Sequence, residues 1–214
     1  MSRRAYSQFC GLAQALDVLG ERWTLLIVRN LLLGPLRYSE LMHGLPGITT
    51  NLLAKRLKEM TEAGIIEKTR LAPSDRAAAY RLTPKGRDLE PAIHALGSWG
   101  EHRLAQAGPA CERRLEWMLV SLRRRYLGGE TLTAEVVASG VPYRFALTPE
   151  HADISRGTAE RPDVRISGPP LALASLFVHG ALAALPEAVV LDGERAALDR
   201  LLAAFRRAGP PAED

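Results

Sequence analysis

Between Thr49 and Lys58 the chain reads Thr-Thr-Asn-Leu-Leu-Ala-Lys-Arg-Leu-Lys. Thr49, Thr50, Asn51, Lys55 and Lys58 are residue types that read or neutralise a polyanion. Asparagine pairs with an adenine edge, lysine with guanine or phosphate, and threonine with phosphate or a thymine methyl. At about 100° per helical residue, Leu53, Leu57 and Met60 line one face while Asn51, Ala54, Lys55 and Lys58 lie roughly opposite. A helix here has an apolar back and a basic front, with no acid in its N-terminal half. The competing reading is a solvated basic face, as many surface helices carry. Arg56 lies nearer the apolar side and is a candidate brace for the helix.

The flanking residues predict the elements that must hold this helix. Thr49 suits an N-cap and Gly64 a C′ position. Pro46 and Gly47 set a turn just ahead of it, and a short helix from about Tyr38 to His43 precedes the turn. Leu12, Ala15, Leu16 and Leu19 form a 3,4-spaced stripe stopped by Gly20. The run from Trp23 to Leu33 is apolar on most sides and predicts a buried helix ended by Gly34-Pro35. After Gly64 the period changes to two. Ile65–Leu71 and Ala79–Leu82 read as strands around a turn at 72–76. Thr83-Pro84 then opens a helix carrying Leu89, Ile93, Leu96 and Trp99, with Pro91 expected to kink it or leave its first turns irregular. Helix, helix, helix–turn–helix, strand, turn, strand, helix is the order of a winged helix–turn–helix, in which a second helix is presented as a ridge to the major groove.

Charge agrees with a polyanion partner. The 214 residues carry a formal +4, unevenly spread. Residues 1–105 hold fifteen Lys/Arg against ten Asp/Glu, and residues 106–214 thirteen against fourteen. All four lysines (Lys55, Lys58, Lys68, Lys85) fall in the first part. A short basic segment on an otherwise neutral chain points to nucleic acid. No apolar run reaches about 18 residues, so no membrane span is expected. The N-terminus leads into no apolar signal region, and the cysteines are two and far apart, so a cytoplasmic protein without disulfides is expected.

Further candidates surround the helix. Arg37 and Ser39 begin the helix before the turn, where a phosphate contact would position the protein without specifying sequence. Arg70, Ser74 and Arg76 flank the hairpin turn, from which an arginine can enter the minor groove or neutralise phosphate; an ordinary exposed turn is the alternative. Enzyme signatures are absent: no phosphate-binding glycine loop, no Gly-x-Ser-x-Gly, no His-Glu-x-x-His, no Cys-x-x-Cys. The five histidines show no metal spacing, and no cofactor, metal or catalytic residue is expected.

Five segments carry a family resemblance. They are the run from Cys10 to Ile27 (Cys-Gly-Leu-Ala-Gln-Ala-Leu-Asp-Val-Leu-Gly-Glu-Arg-Trp-Thr-Leu-Leu-Ile), Gly34-Pro-Leu-Arg-Tyr-Ser-Glu-Leu, Leu45-Pro-Gly-Ile, Leu57-Lys-Glu-Met and Tyr80-Arg-Leu-Thr-Pro-Lys-Gly-Arg. Residues 9–103 resemble the HxlR family of bacterial winged-helix transcription regulators. The resemblance implies a homodimer, built through the first helix and the helix after the wing, on a pseudo-palindromic operator. Leu12, Leu16, Leu89, Ile93, Leu96 and Trp99 are the dimer residues it suggests. Cys10 matches a cysteine position common in the family, where some members sense oxidants or electrophiles. Arg3 and Arg4 could lower its pKa if the tail folds back. A small buried residue in the first helix is the alternative.

The second half changes character. A linker is expected at 105–110, a helix at about Leu115–Tyr126, then strands around Leu132–Ala138, Tyr143–Leu147, His151–Arg156 and Val164–Ile166. A helix from Pro169-Pro170, a strand at Val189–Leu191 and a last helix capped by Asp192 complete it. Arg161-Pro-Asp-Val-Arg-Ile-Ser-Gly-Pro and Val190-Leu-Asp-Gly-Glu-Arg-Ala-Ala-Leu, with this element order, make Leu115–Phe205 resemble sterol-carrier-protein-like domains. That resemblance implies apolar ligands held between sheet and helices. Trp117, Tyr143, Phe145 and Phe177 are candidates to line such a cavity, though inward aromatic residues more often form plain core.

Together these readings predict a multidomain chain. A mainly α winged helix–turn–helix (1–105) would bind double-stranded DNA and dimerise, and an α+β sterol-carrier-protein-like domain (106–214) would take a small apolar effector. The expected function is sequence-specific transcription regulation. The alternative is a lipid or hydrophobic-ligand carrier that uses the winged helix only for protein contacts.

Overall fold

The computed structural model describes residues 5–72, 74–75, 77–108, 111–180 and 185–206. The chain divides into two compact units, Met1–Ile93 and His94–Asp214.

In the first unit, α1 (Gly11–Leu19) ends at Gly20, whose N–H returns to Leu16 O, and α2 (Thr24–Leu31) follows. Trp23, the N-cap of α2, holds φ 82°, a left-handed conformation that costs a non-glycine residue about 1–2 kcal/mol. α3 (Tyr38–His43) and α4 (Thr50–Glu62) flank the turn. Asn30 Nδ2 donates to Gly44 O at 2.9 Å, and a Cβ at Gly44 would come within 2.8 Å of that nitrogen and displace the Asn30 side chain. Ile27, Val28, Leu31, Leu41, Leu45, Leu53, Leu57 and Met60 are buried and form the core beneath the helices. Burial of each such side chain stabilises the fold by about 1.5–3 kcal/mol before entropy is counted.

The first strand of the hairpin, β2 (Ile66–Thr69), is shorter than its period-two pattern predicts, and β3 is Ala79–Leu82 as expected. A two-residue strand, β1 (Leu36–Arg37), adds to β3 and makes a three-stranded sheet of order β1-β3-β2. Thr83 caps α5 (Pro84–Arg87), accepting from Gly86 N–H at 3.1 Å. The long helix expected from Pro84 is two helices. α6 (Glu90–Gly100) begins afresh with Pro91 in its first turn, where a missing N–H leaves no bond unmade. The division between the units falls within α6.

A 3-10 helix (Glu101–Gln106) precedes the α+β part of the second unit. α7 (Leu115–Arg125) leads into β4 (Leu132–Ala138), β5 (Val141–Leu147), β6 (Ala152–Arg156) and β7 (Val164–Gly168). α8 (Pro170–His179), β8 (Val190–Gly193) and α9 (Arg195–Ala203) follow. The sheet order is β6-β5-β4-β7-β8, antiparallel except for the parallel pair β4–β7, so this is a mixed sheet. Ala134, Val136, Phe145, Ile154, Val164 and Ile166 pack one sheet face against α7, α8 and α9. On the other face the register sets Arg144, Glu135 and Arg165 side by side on three strands. Glu135 is buried there, accepting from Ala159 N–H at 2.8 Å and pairing with Arg165 at 3.0 Å. Asp192 does not cap the last helix. It stays in β8 opposite Arg165, and α9 starts only after Gly193 turns the chain at φ 116°.

Candidate nucleic-acid interface

α4 has the two faces its sequence predicts. Leu53, Arg56, Leu57 and Met60 are buried, while Thr49, Thr50, Asn51, Ala54, Lys55 and Lys58 are exposed. Thr49 Oγ1 accepts from Leu52 N–H at 3.4 Å and caps the helix. Tyr38 Oη donates to Thr50 O at 2.8 Å, fixing the start of α4 to the start of α3. Periodicity carried no sign of that tyrosine's part.

The lysines are held loosely. Lys55 Nζ lies 3.8 Å from Glu59 Oε1 and Lys58 Nζ 3.8 Å from Glu62 Oε1. Exposed pairs one turn apart stabilise a helix by only about 0.3–0.5 kcal/mol, so either ammonium is readily transferred to a phosphate. Both acids lie in the C-terminal half of α4, which leaves the front of its first two turns free of carboxylates. Arg56 does not face outward. It is 6% exposed; Nη2 donates to Glu21 Oε2 at 2.5 Å and Nη1 to Glu59 Oε2.

Arg37 is the N-cap of α3 and its backbone N–H donates to Glu40 Oε2 at 2.7 Å. Its Nη2 donates to Asp75 Oδ2 at 2.7 Å, and that hydrogen bond, with the charge behind it, raises the arginine's pKa further. Ser39 is exposed on α3. In the wing, Arg70 and Ser74 are exposed, and Arg81 Nε pairs across the strands with Glu67 at 2.7 Å. Arg76 lies outside the described residues. Lys85 Nζ donates to Ala63 O at the end of α4 at 3.0 Å.

The remaining candidates fall elsewhere. On α1, Leu12 is 68% exposed and Leu16 is exposed, beside the exposed Tyr6 and Phe9. α6 buries none of its residues: Leu96 and Trp99 are exposed and Ile93 is half-buried, as is Leu89 before it. Cys10 is the exposed N-cap of α1, where the N–H groups of Ala13 and Leu12 hold the thiol pKa below its ordinary value. Arg3 and Arg4 lie outside the described residues. In the second unit, Phe145 and Phe177 stack at 5.6 Å, and Phe205 closes on both at 6.3 and 6.1 Å. Burial, then the nearby Glu116, raises the Tyr143 pKa, and its phenol donates to Glu116 Oε1 at 3.0 Å. Trp117 is half-buried with the Arg114 guanidinium 5.7 Å over its ring. Among the described residues, no group of His, Cys, Asp and Glu is placed to hold a metal, and no helix is long and apolar enough to cross a membrane.

Residues 18–107 match the family model described as HxlR-like helix-turn-helix. The helix-turn-helix-type transcriptional regulator YodB of Bacillus subtilis is 33% identical over 98 residues, which span 46% of this chain and 88% of YodB. The chain belongs to the HxlR-like helix-turn-helix family. A helix-turn-helix-type transcriptional regulator of Mycobacterium tuberculosis is 38% identical over 102 residues, 47% of this chain and 64% of that protein. The chain thus spans less than two thirds of the mycobacterial relative's length. The solved structure of reduced YodB is 30% identical, covers 47% of this chain and 100% of YodB, and has a TM-score of 0.40. These HxlR-like relatives are transcriptional regulators, not enzymes. The family match ends before α7 begins.

Proposed function

We propose that this HxlR-like chain regulates transcription as a homodimer that places α4 of each protomer in successive major grooves of an inverted-repeat operator. The carrying observation is α4 itself: Leu53, Leu57 and Met60 anchor it from behind, and Thr49, Thr50, Asn51, Lys55 and Lys58 stand exposed in front. Asn51 reads a base edge. Lys55 and Lys58 meet phosphate or guanine, and the threonines and the helix N-terminus meet phosphate. Ser39, Arg70 and Ser74 add backbone contacts from α3 and the wing, while Asp75 holds Arg37 back from phosphate. The exposed apolar residues of α1 and α6 (Leu12, Leu16, Leu96, Trp99), with Leu89 and Ile93, form the dimer contact, and a two-fold dimer sets the α4 helices about 34 Å apart.

The 106–214 region we read as a sterol-carrier-protein-like effector domain. Its mixed sheet with helices packed on one face, and the inward Tyr143, Phe145 and Phe177, support that reading; Trp117 is half-buried on α7. An apolar effector enters by parting the Phe145–Phe177–Phe205 contacts and acts by its differential affinity for two dimer geometries. Cys10 adds a candidate redox input. The carrier alternative leaves the acid-poor front of α4 without a purpose.

Selection from a random-sequence duplex pool, followed by mobility shifts at several salt concentrations, tests the reading. One enriched inverted repeat is expected, with binding that weakens steeply with salt. Failure to enrich any duplex would overturn it. Native mass spectrometry of the purified protein tests the effector: a co-purified apolar mass is expected.

A further inference from the structure

The three residues between Gly20 and α2 reach the helix–turn–helix at two points. Glu21 accepts from Arg56 Nη2 at 2.5 Å, in the middle of α4. Trp23, held left-handed, brings its ring to Gly47 in the turn between α3 and α4, where a Cβ would sit 3.9 Å from Cη2. Arg22 lies over the same ring at 5.1 Å.

The Arg56 end of this bracket is buried and cannot wander. Among the described residues its Nε has no hydrogen-bond partner, and its orientation depends on the two carboxylates at the other end of the guanidinium, Glu21 and Glu59. Glu59 rides on α4 with Arg56 and cannot tell the helix where to sit. Glu21 belongs to a different element and can. A carboxylate outside α4 that engages a guanidinium buried inside it adds to the hold of Leu53, Leu57 and Met60 on the rotation of α4 about its axis. That rotation decides where Asn51, Lys55 and Lys58 point.

We infer that Glu21 is a positioning residue for DNA reading, which acts through Arg56 and carries the position of α1 to α4. The inference rests on the DNA-binding reading above. α1 ends at Leu19, two residues before Glu21, so a shift of α1 on dimer repacking reaches α4 through one ion pair and the turn through one ring.

The Glu21 side chain is 56% exposed, so its replacement buries no charge at position 21, and Arg56 keeps Glu59 as a partner; thermal melts of both variants check that they fold. The full chain and its Glu21→Ala and Glu21→Gln variants would be titrated with the duplex enriched by the wild type and with a scrambled duplex of equal length. A positioning role predicts that Glu21→Ala loses about tenfold in affinity for the enriched duplex. Its affinity for the scrambled duplex should stay within about twofold, because phosphate contacts tolerate a turned helix. Glu21→Gln keeps an acceptor at the same reach and should recover most of the loss. Equal loss on both duplexes, or none on either, overturns the inference while leaving the DNA-binding reading standing. A wild-type chain that enriches no duplex overturns that reading first, and this inference with it.

Discussion

Arg37 and Asp75 are 38 residues apart in sequence, yet Arg37 Nη2 donates to Asp75 Oδ2 at 2.7 Å and ties the start of α3 to the wing loop. The arginine expected to meet phosphate therefore already holds an anion. Among the described residues its buried Nε has no hydrogen-bond partner, and Asp75 supplies the contact that orients the guanidinium.

Replacement of Asp75 by asparagine should free Arg37 for phosphate. Affinity for duplexes of any sequence should rise, and the slope of log K against log salt should steepen by about one for each added phosphate contact. Fluorescence anisotropy at several salt concentrations measures both. An unchanged slope would mean that Arg37 stays off the DNA backbone.

The α1 and α6 faces carry the dimer claim. Trp99→Glu should convert the dimer to monomer at micromolar concentration, since burying an unpaired charge in an interface costs several kcal/mol. Leu12→Glu should do the same. Sedimentation velocity reads the result, and a variant that remains dimeric would move the interface elsewhere.

Cys10 should alkylate as a lowered-pKa thiol. The N–H groups of Ala13 and Leu12 favour its thiolate. Iodoacetamide labelling of a Cys111→Ser variant against pH should reach half its plateau rate below about 8.5, the value of an unperturbed cysteine. A midpoint at or above that value would remove the basis for a redox role.

In the second unit, Glu101 accepts from Arg124 and Arg125. Burial pushes its carboxyl pKa up, but the two arginines outweigh that and the net shift is downward. A depressed native pKa contributes stability that is full above the ordinary carboxylate value and is lost as pH falls through the native one. Glu101→Gln should cost about 1–2 kcal/mol at neutral pH and flatten the acid limb of the stability curve. Urea melts at pH 7 and at pH 3 would show it, as a difference between wild type and variant at the first pH that shrinks at the second.

Much of this was legible in the residues. The 3,4 spacing of Leu53, Leu57 and Met60, with Thr49 before and Gly64 after, placed α4 because caps and apolar periodicity are local signals. Arg56 as a brace followed from its angle on the helix. Its partner Glu21, 35 residues away, did not, because an ion pair between elements leaves no period in the sequence. β1 is two residues long, too short for an alternation to register, and Tyr38 acts through a hydroxyl on a distant carbonyl. Asp192 looked like a cap because the residues after it suit a helix; strand pairing with Arg165 took precedence. In the second unit Tyr143, Phe145 and Phe177 are buried and Trp117 is half-buried, and whether Phe145 and Phe177 face a ligand or each other is a matter of packing that composition does not encode.

The most direct test of the account is a titration of Asn51→Ala and Lys58→Ala chains with the enriched duplex and its single-base variants. Lys58→Ala should weaken binding to every duplex alike, and Asn51→Ala should relax discrimination at one base pair by about 1–3 kcal/mol. Wild-type affinity and selectivity in both variants would contradict the claim that the exposed front of α4 reads DNA.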